Sequence, residues 1–261
     1  MVGKYLKIWW TMTRIASQIA FVSRFGAVIF IFGKILRFAF FLLFLLLLIS
    51  KTKAIVGYEI WQVIFFFATF NLVDTLVQFF LREVYRFRSY VVSGDFDYFL
   101  IKPISPLFRS LFGGSDVLDI PMLLISVGFV IMSIFIIGDI SLSGVLVYLL
   151  LILNAFLIAF IFHIFILVVG ILTTEVDNTL WLYRDITQMG RLPIDIYKEP
   201  IRGVLTFILP VGIMMTFPPK SLMGLLSIQS IMIALLVSAV LLYVSLKCWK
   251  FALRHYTSAG S

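Results

Sequence analysis

Long apolar runs separated by short polar stretches pattern the whole chain. Runs close to the ~20 residues that a helix needs to cross hydrocarbon stand at 26–49, 55–81, 145–172 and 225–246, and another closes near Ile137 behind the pair Ser115-Asp116. A shorter run, 203–217, is broken by Pro210. No segment shows the apolar–polar alternation of a membrane barrel. The pattern predicts an all-α, polytopic membrane helix bundle of six spans, with residues 1–261 as one transmembrane domain. Proline removes a backbone hydrogen bond and kinks a span. Two routes are therefore open for 203–217: a bent crossing, or a re-entrant hairpin from the outer side.

The polar positions refine this picture. Residues 3–24 mix Lys4, Lys7 and Arg14 with Trp9, Trp10, Ile15 and Ile19. That mixture predicts an amphipathic helix lying in the interface, its basic side chains snorkelling. Lys34 and Arg37 fall in the first half of the first span and are expected close to its near interface, since charge is costly in hydrocarbon. In the second span Asn71, Asp74, Gln78 and Arg82 recur at steps of three or four, so they share one helix face. Such a face turns to the bundle interior, as a hydrogen-bond network or as the lining of a substrate path. Two polar segments, 82–114 and 173–202, are expected as loops on one side of the membrane. Within the second, Leu180, Tyr183, Ile186 and Met189 predict a short amphipathic helix ahead of the breaks at Gly190 and Pro193.

Composition narrows the chemistry. Of 261 residues, 62% are hydrophobic and 13% charged, with a mean hydropathy of +1.12. That balance leaves too little polar surface for a soluble domain. The net charge of +8 does not point to nucleic acid, because the basic residues cluster between spans, where topology and anionic membrane lipid account for them. With the N-terminus inside, the inner segments hold sixteen Lys and Arg, and the outer links hold three, Lys51, Lys53 and Lys220. This asymmetry predicts a multi-pass protein of the cell inner membrane with both termini and both polar segments cytoplasmic. Cys248 is the single cysteine, which excludes an internal disulfide. His163 stands alone in an apolar run and reads as a packing or hydrogen-bonding residue. There is no Walker A pattern, HExxH, nucleophile elbow or zinc-ligand spacing. Neither catalytic residues nor a metal or cofactor site is expected.

The segment 82–114 has its own local logic. Ser93 can cap a short helix with Asp95 in its first turn, and Phe96, Tyr98, Phe99 and Leu100 give that helix apolar contacts. Lys102-Pro103 stops it, because the residue before proline avoids the helical region. Ser105-Pro106 starts a second helix, which Gly113-Gly114 closes. The stretch VYRFRSYVVSGDFDYFLIKPISPLFR with the following GGSDVLD, together with LPIDIYKEPIRGVLTFILPVGIMMTFPP, resembles the two signature regions of type-2 ABC exporter permeases. It is most similar to the bacterial six-span branch with chains of this length. Leu192-Pro193 departs from the second signature, where an aromatic residue usually precedes the proline.

The resemblance implies a permease subunit of an ABC exporter. Two such subunits, identical or homologous, would form the substrate path, and cytoplasmic ABC ATPase subunits, which bind and hydrolyse the ATP, would dock beneath them. It implies a coupling helix in the first cytoplasmic loop that sits in a groove of the ATPase, formed by 94–101 or by 106–112. The residues that match are Asp95, Phe96, Asp97, Tyr98, Lys102, Pro103 and Pro106. It also implies a path around Asn71, Asp74, Gln78 and Pro210. The competing reading is a secondary transporter or channel driven by an ion gradient, with the Asn71, Asp74 and Gln78 face holding the ion. An enzyme of lipid metabolism is disfavoured, since no acidic or histidine cluster marks the interface.

Overall fold

The computed structural model describes residues 2–52, 54–138 and 141–257. The 50–54 link contains Lys53, and the polar run GDISLSG (138–144) contains Asp139 and Ile140; these three lie outside the described residues. All named regular elements among the described residues are helical. The amphipathic N-terminal segment is α1 (Val2–Ala20), and the first span is α2 (Arg24–Thr52). A tight reversal, bridged between Ile55 and Tyr58, leads to α3 (Ile60–Leu81). Glu59 and Gln62 form a capping box at its start, satisfying donors that the first turn leaves free.

From α3 the helical path runs on through a 3₁₀ turn (Arg82–Arg86) into α4 (Phe87–Val92). The path Ile60–Val92 has 33 residues, about 50 Å at 1.5 Å per residue. Hydrocarbon is only about 30 Å thick, so α4 projects beyond it. Two short helices follow, α5 (Asp97–Ile101) and α6 (Pro106–Leu111). Asp116 then caps a 3₁₀ turn (Val117–Asp119) that opens α7 (Ile120–Ile137). The remaining long helices are α8 (Leu142–Thr173) and α12 (Ile228–Arg254), capped by Ser141 and Ser227. The buried centre is α3 and α8; α7 packs on α3, α12 packs on α8, and α2 lies outermost, largely exposed.

The segment 173–202 is not a loop confined to one end of the bundle, and this corrects the sequence expectation. After Thr174, whose left-handed backbone (φ 62°) ends α8, the chain forms α9 (Val176–Gln188). Val176 packs beside Phe87 in the space left by Gly170, at the end of the bundle that carries 82–114. Tyr183 meets His163 at 4.9 Å, and the Arg191 guanidinium lies over Phe41 and Phe70 at 4.9 and 5.6 Å. Asp195 reaches the Tyr58 hydroxyl at 3.1 Å, beside the α2–α3 turn at the far end. Residues 176–195 therefore traverse the bundle and form the fifth crossing.

The run 203–217 is then re-entrant, the second of its two expected routes. It comprises α10 (Ile201–Gly203), two π-helical turns (Val204–Ile208 and Gly212–Thr216) and α11 (Phe217–Leu222). The arms Ile201–Ile208 and Gly212–Leu222 meet at 82° around the buried Pro210. Both arms start and finish at one carboxylate: Asp195 holds Arg202 at 3.9 Å and Lys220 at 2.7 Å. A segment whose two ends share a partner has dipped and returned. Thr216 Oγ1 accepts from the Ile194 amide (3.1 Å), tying the returning arm to the fifth crossing.

Candidate functional site

The loop over α5 and α6 is built from the buried side outward. Phe96 is fully buried; its ring meets Phe87 at 5.2 Å, Tyr256 at 5.1 Å and Trp249 at 6.5 Å. Phe99 packs on Tyr90 (5.1 Å) and beneath the Arg109 guanidinium (4.5 Å). The Ser93-Gly94 turn that lets α5 fold back has Gly94 at φ 78°, a region open to glycine at little cost. Ser93 receives the Asp95 amide and donates to the Asp95 carboxylate (2.7 Å). Asp97 lies beside the Tyr256 phenol; burial first, and a hydrogen bond to Asp97 second, push that phenol up to about 12.

The seven expected contact residues therefore divide. Tyr98, Asp95, Lys102 and Pro103 are exposed, and Tyr98 has 59% of its surface free. Phe96 faces inward as an anchor, Asp97 is half-buried against Tyr256, and Pro106 is half-buried at the start of α6. Two exposed neighbours were not among the seven: Leu100, expected only to give the helix apolar contacts, and Ile101 at 78% exposure. Their position between the aromatics and Lys102 was the available signal.

Under the loop lies Glu83, a residue the sequence pattern left without a role. Its carboxylate accepts from Arg109 (2.6 Å) and from the Tyr90 hydroxyl (2.8 Å), and Arg86 stands at 3.5 Å. A Cβ on Gly113 would lie 1.8 Å from Glu83 Cδ, and one on Gly114 would meet the Met12 carbonyl at 2.8 Å. The glycine pair thus lets both the carboxylate and α1 approach closely. Contacts from α1 complete the assembly. Tyr5 hydroxyl accepts from the Ser105 amide (3.2 Å) and its ring meets Phe108 at 4.7 Å. Lys4 donates to the Pro103 carbonyl (2.9 Å), and Thr13 accepts from the Ser115 amide (3.1 Å).

The polar face of α3 is resolved into two parts. Asn71 is buried and turns to its own helix, donating to the Phe67 carbonyl (2.7 Å). Gln78 donates to Asp74 (2.7 Å) and accepts from Lys34 (3.2 Å), which also pairs with the buried Asp119. Arg82 reaches Asp116 at 3.2 Å and Asp119 at 3.9 Å. This network joins α2, α3 and the start of α7. Of the four expected path residues, only Gln78 lines the adjoining cleft of about 330 Å³, together with Lys34, Arg37, Arg82 and Arg184. Pro210 sits at the vertex of the re-entrant segment, beside the Val211 contact with Gly190. At the far end, burial and the Asp195 charge push the Tyr58 phenol well above its ordinary range. His163 is buried, bonded to the Ala159 carbonyl (2.8 Å), in keeping with a packing role. Among the described residues, no group of three or more His, Cys, Asp and Glu could hold a metal ion.

A family profile described as ABC-2 family transporter protein matches residues 35–260, which takes in the α5–α6 loop and the α3 face but not α1 or Lys34. No curated protein and no solved structure matches it. With its several apolar spans and its all-helical bundle, the chain is a multi-pass membrane permease that belongs to the ABC-2 family of transporter proteins.

Proposed function

We propose that this permease is the membrane subunit of an ATP-driven exporter, coupled through α5 to a separate cytoplasmic ATPase. The observation that carries the reading is the construction of α5. Its outer face presents Tyr98, Leu100, Ile101 and Lys102 to solvent, while Phe96 and Phe99 fix its inner face to α4, α6, α12 and the C-terminal segment. Exposed apolar side chains on a short, firmly seated helix suit a groove on a soluble partner. A push on such a helix reaches α3 directly through α4 and α12 through Trp249, so closure of the partner tilts spans rather than deforming a loop.

Charge supports the orientation. With 176–195 as a crossing, twelve Lys and Arg fall at the α5 end in sequence, and five fall at the far end: Lys51, Lys53, Lys198, Arg202 and Lys220. Lysine and arginine favour the cytoplasmic side, so α5 and both termini face the cytoplasm of the inner membrane. A second permease, identical or homologous, would complete the path and cover part of the exposed apolar face of α2. ATP is bound and hydrolysed by the partner, and the permease itself is not an enzyme.

Purification of the permease with its ATPase tests this. The double variant Tyr98→Ala/Ile101→Ala should insert normally, lose the co-purifying ATPase and abolish ATP-driven transport. Retained association and transport in that variant would remove α5 from the coupling role.

A further inference from the structure

The cleft between α2, α3 and α9 holds more positive charge than the chain neutralises. Lys34 and Arg82 are paired with Asp119 and Asp116. Arg37 and Arg184 also line the cleft, yet among the described residues neither forms an ion pair with a carboxylate. Arg184 lies over the Trp181 ring at 5.4 Å. Arg191, further along the same seam, feels both Arg37 and Arg184 as like charges; Asp74, the carboxylate within its reach, is bonded to Gln78.

Depth makes this surplus significant. Arg37 stands seven residues, about 10 Å along the α2 axis, beyond Phe30, whose ring lies 5.3 Å from the Arg82 guanidinium at the end of α3; on the apolar side of that level an uncompensated charge is costly. Guanidinium groups are weakly hydrated and fork-shaped, matched to the oxygens of phosphate. The cleft is also open to the side: Ile29 and Gly33, exposed on α2, form its rim.

We infer that this cleft binds a phosphate-type oxyanion, with Arg37 and Arg184 as its ligands, while Lys34 and Arg82, neutralised by Asp119 and Asp116, wall the cleft. Two sources share that chemistry, an anionic lipid headgroup arriving through the lateral rim and free phosphate arriving from the aqueous end. The inference does not need the ATPase partner.

The purified full-length permease in detergent would be titrated with phosphatidylglycerol, phosphatidylcholine and inorganic phosphate, with binding read by native mass spectrometry. Wild type should retain phosphatidylglycerol over phosphatidylcholine, and Arg37→Gln/Arg184→Gln should weaken it roughly thirtyfold, at about 1 kcal/mol per cation removed. Saturation by inorganic phosphate that is lost in the same variant supports the site with a soluble source. Phosphatidylglycerol bound equally by wild type and variant overturns the inference, as does binding of neither probe. So does a variant whose sole defect is loss of association between two copies, which would mean that a second subunit supplies the counter-charge. Should the glutamine pair fail to fold, Arg37→Lys/Arg184→Lys keeps the charge and loses the fork; it should bind lipid more weakly than wild type at an unchanged melting temperature, and equal binding counts against the two arginines as ligands. ATPase co-purification measured on the same samples separates this outcome from the coupling proposal.

Discussion

α5 and α6 lie in one loop and differ by a single residue in length. Ser105 caps α6, whereas no side chain caps α5, which starts at Asp97 and not behind Ser93 as expected. The two are held in opposite ways. α6 is enclosed. Ser110 and Leu111 are buried against the bundle, and Tyr5 and Lys4 of α1 cover the approach to its start. α5 is held from beneath only, by Phe96 and Phe99, and presents Tyr98, Leu100 and Ile101 outward. The difference bears on the proposed coupling: a short helix forms at both places, whereas free surface over a fixed base belongs to α5. On that ground the coupling proposal rests on α5, the one with a face to offer.

The largest effect on this contrast should come from the charge beneath both helices. Glu83→Ala leaves the Arg109 guanidinium half-buried without its 2.6 Å partner and frees the Tyr90 hydroxyl. Removing one member of a buried ion pair costs about 3–5 kcal/mol, so the melting temperature should fall sharply. Limited proteolysis should then cut both α5 and α6, erasing their difference. Selective cutting at α5 alone would mean that Glu83 does not underlie α6.

Phe96→Ala should come next and act on α5 alone. Emptying a fully buried phenylalanine site costs about 3–5 kcal/mol, here from the packing among Phe87, Trp249 and Tyr256. Hydrogen exchange should rise across Asp97–Ile101 and at the end of α12, with Pro106–Leu111 protected as before. Tyr98→Ala/Ile101→Ala should leave stability within about 0.5 kcal/mol of wild type, as surface substitutions do. Its effect should appear in ATPase binding, weakened about tenfold or more, equivalent to ~1.4 kcal/mol. The two variants thus distinguish an anchor from a contact, which sequence adjacency could not.

That limit has a physical origin. Apolar runs located α2, α3, α7, α8 and α12 well, because their lengths answer to bilayer thickness. The caps at Ser105-Pro106 and Asp116 were legible because they are local. The inward turn of Phe96 was not, since it depends on Trp249 and Tyr256 from the far end of the chain. Nor was the fifth crossing. α9 has thirteen residues and carries Asp177, Arg184 and Asp185, which reads as a wet loop by any hydropathy argument. It crosses because Tyr183 packs on His163, Arg184 turns into the cleft, and Asp195 meets Lys220 and Tyr58 at the end of the path. Pairings between distant residues decide that, and periodicity does not contain them.

The smallest effect should be the most specific to α6. Ser105 caps it by accepting from the Phe108 amide (3.3 Å), and the Ser105 amide donates to Tyr5 on α1 (3.2 Å). Ser105→Ala removes the first bond and keeps the second, at about 1 kcal/mol for a lost cap. Tyr5→Phe does the reverse and costs about 0.5–1.5 kcal/mol. Because the two bonds meet at one residue, a double-mutant cycle should show coupling, with the combined loss differing from the sum by more than ~0.5 kcal/mol. ATPase association should be unchanged in all three variants, since none touches the outer face of α5. A weakening as large as that of Tyr98→Ala/Ile101→Ala would move the docking face from α5 to the α1–α6 edge.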